Sequence, residues 1–277
     1  MANARGFFGK LLTMGDFVSR GWSSSTREGL DRLLQEAISA FLASSTSGKD
    51  SLLQAPYVML TIRPGVVGEQ GLEIVILPSQ DRVGRIFPLC AGLQRAGEGQ
   101  SEMNWPSLDY GRALIESVQR RMEVGADPEL LLSDIESVGE PHLFRATFAG
   151  RCDDETLPRL PTGTKNIRIQ GPSAVWAPST GALCALLRAS SDLLGVCFDD
   201  RGEAVDYFAC LRFESGEPLA AIFDAKWGER EWYSVTLPGL AADSQVAEVQ
   251  MLDEDATRPR QRVIDIGKSE VDSSTDS

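Results

Sequence analysis

Any chemistry in this chain has to be sought among five charged residues set into two unusual segments: Asp16, Arg20, Asp81, Arg82 and Arg85. The first segment runs Gly6-Phe7-Phe8-Gly9-Lys10-Leu11 into Met14-Gly15-Asp16-Phe17-Val18-Ser19-Arg20, and the second runs Pro78-Ser79-Gln80-Asp81-Arg82-Val83-Gly84-Arg85-Ile86-Phe87-Pro88-Leu89. Two carboxylates, Asp16 and Asp81, are the beginnings of a metal site, and Arg82 with Arg85 would suit a clamp on a phosphoester. A carboxylate- or metal-dependent small hydrolase or phosphatase is therefore one reading. The other is that the charges do no catalysis. Charges among Phe7, Phe8, Phe17, Ile86 and Phe87 are tolerated only when paired, so they are expected to pin the N-terminal segment onto a sheet or to rim a groove facing a protein partner. Within that reading Asp81 and Arg85 are expected to pair inside the domain, with Asp16 and Arg20 nearer its exposed edge. The interleaved glycines suit a tightly packed turn with fixed charge partners.

The remaining catalytic inventory is thin. One histidine, His142, follows the Gly139-Glu140-Pro141 turn and has no constellation around it. Gly6-Phe7-Phe8-Gly9-Lys10 has two residues between its glycines and a Leu after the Lys, whereas a phosphate loop needs four and a Ser or Thr. No serine occupies a G-x-S-x-G elbow, and no G-x-G-x-x-G opens a helix. The acidic runs Asp153-Asp154-Glu155 and Asp253-Glu254-Asp255 lack the alternation and glycine of a calcium loop. No catalytic residue, metal or cofactor is assigned, and the expectation is a protein that is not an enzyme.

The elements that must position these residues read as mixed α/β. The chain has 277 residues and 42% hydrophobic content, enough for a sizeable core. Forty acidic against 27 basic residues give a net charge of -13, which disfavours nucleic acid and anionic membranes as partners. No apolar leader or membrane-spanning run is present, and five cysteines without a C-x-x-C pair suit reduced core residues in a cytoplasm. Arg27 to Leu42 has helical apolar spacing, with caps offered by Ser23 to Thr26. Tyr57–Ile62 and Leu72–Leu77 read as a hairpin, and Val83–Leu89 as a third strand. Ser107–Met122 and Pro128–Val138 read as helices, the latter with the cap-then-proline start Asp127-Pro128. Further on, Leu143–Phe148, Asn166–Gln170, Ala174–Trp176, Leu193–Phe198 and Val205–Phe213 are strand candidates. Gly181–Ser190 fits helix or buried strand, and Pro218–Trp227 a short amphipathic helix. Residues 241 to 277 hold nine acidic and four basic side chains and no aromatic, so residues 1–240 are expected to form the domain and 241–277 an acidic, mobile tail. Trp22, Trp105, Trp176, Trp227 and Trp232 are expected in or at the edge of the core.

The two opening segments, as an ordered pair some sixty residues apart, resemble the signatures of the TagF (ImpM) family of type VI secretion accessory proteins. Those signatures read much like "GxxGKLPxxGDFVxR" followed by "PSxDRVGRxFPL". The resemblance covers roughly residues 6 to 140, with Ser173-Ala174-Val175-Trp176 and Glu217 to Phe223 matching later family features. The chain departs from the pattern at Leu12-Thr13-Met14 and Gly21-Trp22-Ser23. What the resemblance implies is a three-layer α/β/α sandwich around a mixed, largely antiparallel sheet, in a cytoplasmic bacterial protein. It also implies a post-translational repressor of type VI secretion that binds the forkhead-associated scaffold protein. A structural accessory component of the secretion machine is a further alternative.

Overall fold

The structure, a computed structural model, describes residues 3–44, 48–95, 106–125, 127–141, 144–145, 162–170, 187, 190–199, 204–236 and 250–251. His142, Cys152, Cys184, Trp105, Trp176, the two acidic runs, the Ala174–Trp176 candidate, most of Gly181–Ser190 and nearly all of 241–277 lie outside the described residues.

Among the described residues, one nine-stranded mixed sheet organises the chain. Its strands are β1 (Ala4–Lys10), β2 (Phe17–Arg20), β3 (Tyr57–Ile62), β4 (Gly71–Leu77), β5 (Leu89–Arg95), β7 (Asn166–Gln170), β8 (Leu193–Phe198), β9 (Ala204–Cys210) and β10 (Trp232–Thr236). Their order across the sheet is β10-β7-β9-β8-β3-β4-β5-β1-β2. Every neighbouring pair is antiparallel except β10 with β7. β6 (Phe144–Arg145) and β11 (Gln250–Met251) form a separate antiparallel pair.

Alternating side chains of the central strands feed two apolar clusters, as the pleat requires. Met59, Val75, Leu77, Ala91 and Leu93 meet Tyr110, Leu114 and Val118 of α2 (Leu108–Glu123) and Leu131 and Ile135 of α3 (Pro128–Ser137). Val58, Leu60, Leu72, Ile74 and Ile76 join Leu30, Leu33, Leu34 and Ala37 of α1 (Ser24–Ser44). Leu219 and Ile222 join the second cluster from the 3₁₀ turn Glu217–Ala220 and the one-turn α4 (Ala221–Asp224). Burial on both faces explains why β4 reads Gly-Leu-Glu-Ile-Val-Ile-Leu, with every position buried. Its one charge, Glu73, is paired with Arg95 at 2.6 Å.

Local chemistry sets the helix starts. Ser23 Oγ accepts from the Thr26 amide at 3.3 Å, and Asp127 Oδ1 accepts from Glu129 and Leu130 amides at 2.9 and 3.0 Å with Pro128 behind it. Ser107 occupies the cap position of α2, yet its side chain makes no capping bond.

Several elements differ from expectation. Val83–Leu89 is not a strand: Gln80 and Ile86 form one isolated bridge, and the strand begins only at Leu89, past Pro88. The opening segment is more than a packed turn, because Gly6–Lys10 and Phe17–Arg20 lie within paired strands around a short turn. Pro218–Trp227 is not one helix. Ala225 at φ +54 ends α4, and a 3₁₀ turn, Trp227–Arg230, follows. β9 stops at Cys210, and β10 was not expected at all.

Candidate functional site

At the β2 end of the sheet, two loops are braced against each other by one buried carboxylate. β1 delivers Lys10 at its end, after which Met14 N–H donates to the Leu11 carbonyl at 3.0 Å and the chain turns into β2. The second loop leaves β4, and Ser79 Oγ donates to the Lys10 carbonyl at 2.7 Å. Phe87 N–H returns to the Ser79 carbonyl at 3.0 Å, closing a small hairpin around the turn Asp81-Arg82-Val83-Gly84. Gly84 sits at φ +81, where a side chain would be strained. At Gly9 a Cβ would come 2.3 Å from the Pro88 carbonyl, so only glycine lets the two loops approach.

Asp81 is the hub. Its Oδ1 accepts from the Val83 and Arg85 amides at 3.0 and 2.8 Å, an Asx-type arrangement that shapes the turn. Its Oδ2 accepts from Lys10 Nζ at 3.0 Å and Arg85 Nε at 2.6 Å. The Asp81 side chain is 0% exposed and that of Lys10 7%, whereas that of Arg85 is 58% exposed. Burial pushes the Asp81 carboxyl up, but the two amides, the ammonium and the guanidinium outweigh it and hold the group well below the usual carboxylate range. Arg85 also donates to the Gly15 carbonyl, and Arg82 N–H donates to Met14 O at 2.9 Å, so the second loop grips the first.

The other three singled-out residues do not join this hub. Asp16 is exposed, and its Oδ1 accepts from the Phe17 amide at 2.9 Å. Arg20 reaches the opposite face of the sheet, pairing with Glu129 of α3 at 2.7 Å in an exposed ion pair. Arg82 is exposed. Lys10, considered in the sequence only as a failed phosphate-loop lysine, is the buried partner of Asp81. The signal available for it was an ammonium set among Phe7, Phe8 and Leu11, where an unpaired charge is not tolerated.

Around the brace lies an apolar rim. Phe8 stacks on Phe17 and Phe87 meets both edge-on, with ring centres 4.8 to 6.0 Å apart and Lys10 Nζ 5.2 Å from the Phe17 ring centre. Phe17 is nevertheless exposed, as are Leu12, Met14 and Val83, the last at 66%. Four large apolar side chains thus stand in water, three on the two braced loops and Phe17 at the start of β2.

The fold and this end of it define an α/β domain whose sheet edge carries a charge-braced loop pair. Residues 6–138 match the family model of the TagF N-terminal domain, type VI secretion system-associated. The crystal structure of PA0076 from Pseudomonas aeruginosa PAO1 is similar, with 22% identity, a TM-score of 0.51, and coverage of 87% of this chain and 100% of that one. That likeness concerns the fold. No curated protein matches the chain. Among the described residues no helix is long and apolar enough to cross a membrane.

Proposed function

We propose that this type VI secretion-associated protein is a non-enzymatic, post-translational repressor, acting in the bacterial cytoplasm by binding the forkhead-associated scaffold protein on which assembly depends. The carrying observation is the set of exposed apolar side chains, Leu12, Met14 and Val83 on loops locked by Lys10, Asp81 and Arg85, and Phe17 beside them at the start of β2. A rigid surface loses little conformational freedom on docking, and apolar and Arg side chains concentrate binding energy. Arg82 and Arg85 supply the polar rim. Asp81 supports the non-catalytic reading, because both of its oxygens are already taken, each by two donors.

The test is calorimetric titration of the purified chain with the scaffold protein of the same secretion system, alongside Val83→Glu and Met14→Glu. Binding by the unmodified chain and a loss of about 1 to 3 kcal/mol in each variant at unchanged melting temperature is the expected result. Overproduction in a secretion-active strain should lower effector release while transcripts of the secretion genes stay constant. Undetectable binding together with unaltered secretion refutes the reading.

A further inference from the structure

We propose that the free edge of β2, with the cleft beside it, receives an extended segment of the partner protein, added to the sheet as a further strand. The proposal rests on the reading of the chain as a scaffold-binding protein and specifies how that partner is held.

Among the described residues β2 is the last strand of the sheet, hydrogen-bonded only to β1. Two of its backbone groups are turned away from that partner. The Phe17 amide donates to Asp16 Oδ1 at 2.9 Å, and the Ser19 carbonyl accepts from Arg20 Nη1 at 2.9 Å. In an antiparallel strand the N–H and C=O of one residue point the same way, and alternate residues repeat the direction. Phe17 and Ser19 therefore present their amides and carbonyls at the open edge, where exposed side chains of neighbouring residues occupy two of them. Such local caps blunt an edge against indiscriminate pairing, and an incoming strand can displace them.

Beside this edge lies a cleft of about 330 Å³ between β2 and the first turns of α1. Phe8 and Phe17 form its apolar wall, while Arg27, Glu28 and Asp31 form its helical wall. Asp31 Oδ2 accepts from Gln35 at 2.8 Å, but its Oδ1 is buried without a partner among the described residues. A strand laid along β2 would place every second side chain in this cleft. The chemistry asks for an apolar residue against Phe8 and Phe17 and, two residues along, a Lys or Arg whose charge reaches Asp31 and Glu28. A second copy of this chain does not meet that demand. Paired through its own β2, it would offer Phe17 and Ser19 to the cleft, since its Arg20 points to the other face, toward Glu129.

The test follows amide hydrogen exchange in the full chain with and without the scaffold protein, together with the affinities of Ser19→Pro and Asp31→Lys. Proline is tolerated at an edge position whose N–H faces solvent, so Ser19→Pro should keep the native melting temperature while losing the outward donor. Expected are slowed exchange at Phe17 to Arg20, an affinity loss of about tenfold or more for Ser19→Pro, and a comparable loss for Asp31→Lys. If Ser19→Pro fails to fold, Asp31→Lys and the exchange pattern decide. Scaffold binding with unaltered β2 exchange and wild-type affinity in both variants overturns strand addition while leaving the binding function intact. Absence of binding by the unmodified chain overturns both. A dimer in solution that Asp31→Lys leaves intact and Ser19→Pro abolishes assigns the edge to a second copy and likewise overturns the proposal.

Discussion

Replacing Lys10 with Met is the sharpest probe of how this end of the molecule holds together. The substitution keeps the length of the side chain and removes the ammonium that sits 3.0 Å from Asp81 Oδ2, where the two side chains are 7% and 0% exposed. Removing one member of a buried pair costs about 3 to 5 kcal/mol, because the remaining charge keeps its desolvation without its counterion. Here Arg85 Nε and two amides still reach Asp81, which places the expectation at the low end, about 3 kcal/mol. With a urea m-value of about 3 kcal/mol per molar for a domain of this size, the midpoint should fall by about 1 M at unchanged slope. Arg85→Ala, by contrast, removes a side chain that is 58% exposed and should cost under about 1 kcal/mol. Combining Lys10→Met with Asp81→Asn removes both charges and should be milder than the sum of the two single changes. Equilibrium urea unfolding followed by circular dichroism measures all four. Single changes that each shift the midpoint by under about 0.2 M, and that add, would refute the claim that the buried pair braces the loops.

Because the folded-state pKa of Asp81 lies below that of an unfolded aspartate, its contribution is fully present above about pH 4 and is lost as the pH falls from there. Unfolding midpoints measured from pH 5 to pH 2 should therefore decline, and more shallowly in Asp81→Asn than in the native chain. Arg230, which pairs with Asp224 at 2.5 Å and donates to Ser44 Oγ at 2.6 Å, ties the 3₁₀ turn at Trp227–Arg230 to the end of α1. Arg230→Met should cost about 3 kcal/mol in thermal unfolding, and Arg230→Lys should recover only part of that, since a lysine lacks the fork. Asp127→Ala deletes two capping bonds of α3 and should cost about 1 kcal/mol by the same measurement. Cys90, Cys197 and Cys210 are buried, and burial pushes their thiols well above the ordinary range. They should react with a thiol reagent at neutral pH only on unfolding, at a rate that denaturant raises.

What sequence alone determined about this protein is what lies within a few residues of itself. The Asp127-Pro128 start of α3, the apolar stripe of α1 and the hairpin of Tyr57–Ile62 with the strand ending at Leu77 all follow from adjacent side chains and their period. So did the resemblance to the TagF N-terminal domain, through two short segments. Tertiary structure decided the rest. Val83–Leu89 reads as a strand by composition, but Asp81 draws the Val83 and Arg85 amides to its own carboxylate and so takes them out of any ladder. The break at Ala225 and the seating of Trp232 in β10 depend on packing against α1 and on pairing with β7. Lys10 is the clearest case. Its partner Asp81 lies 71 positions away, and the apolar neighbours Phe7, Phe8 and Leu11 call for a counterion without saying which residue supplies it. Only when β1 and the loop after β4 are brought to the same sheet edge does water leave the pair, and it is that desolvation which turns two ordinary charges into a brace.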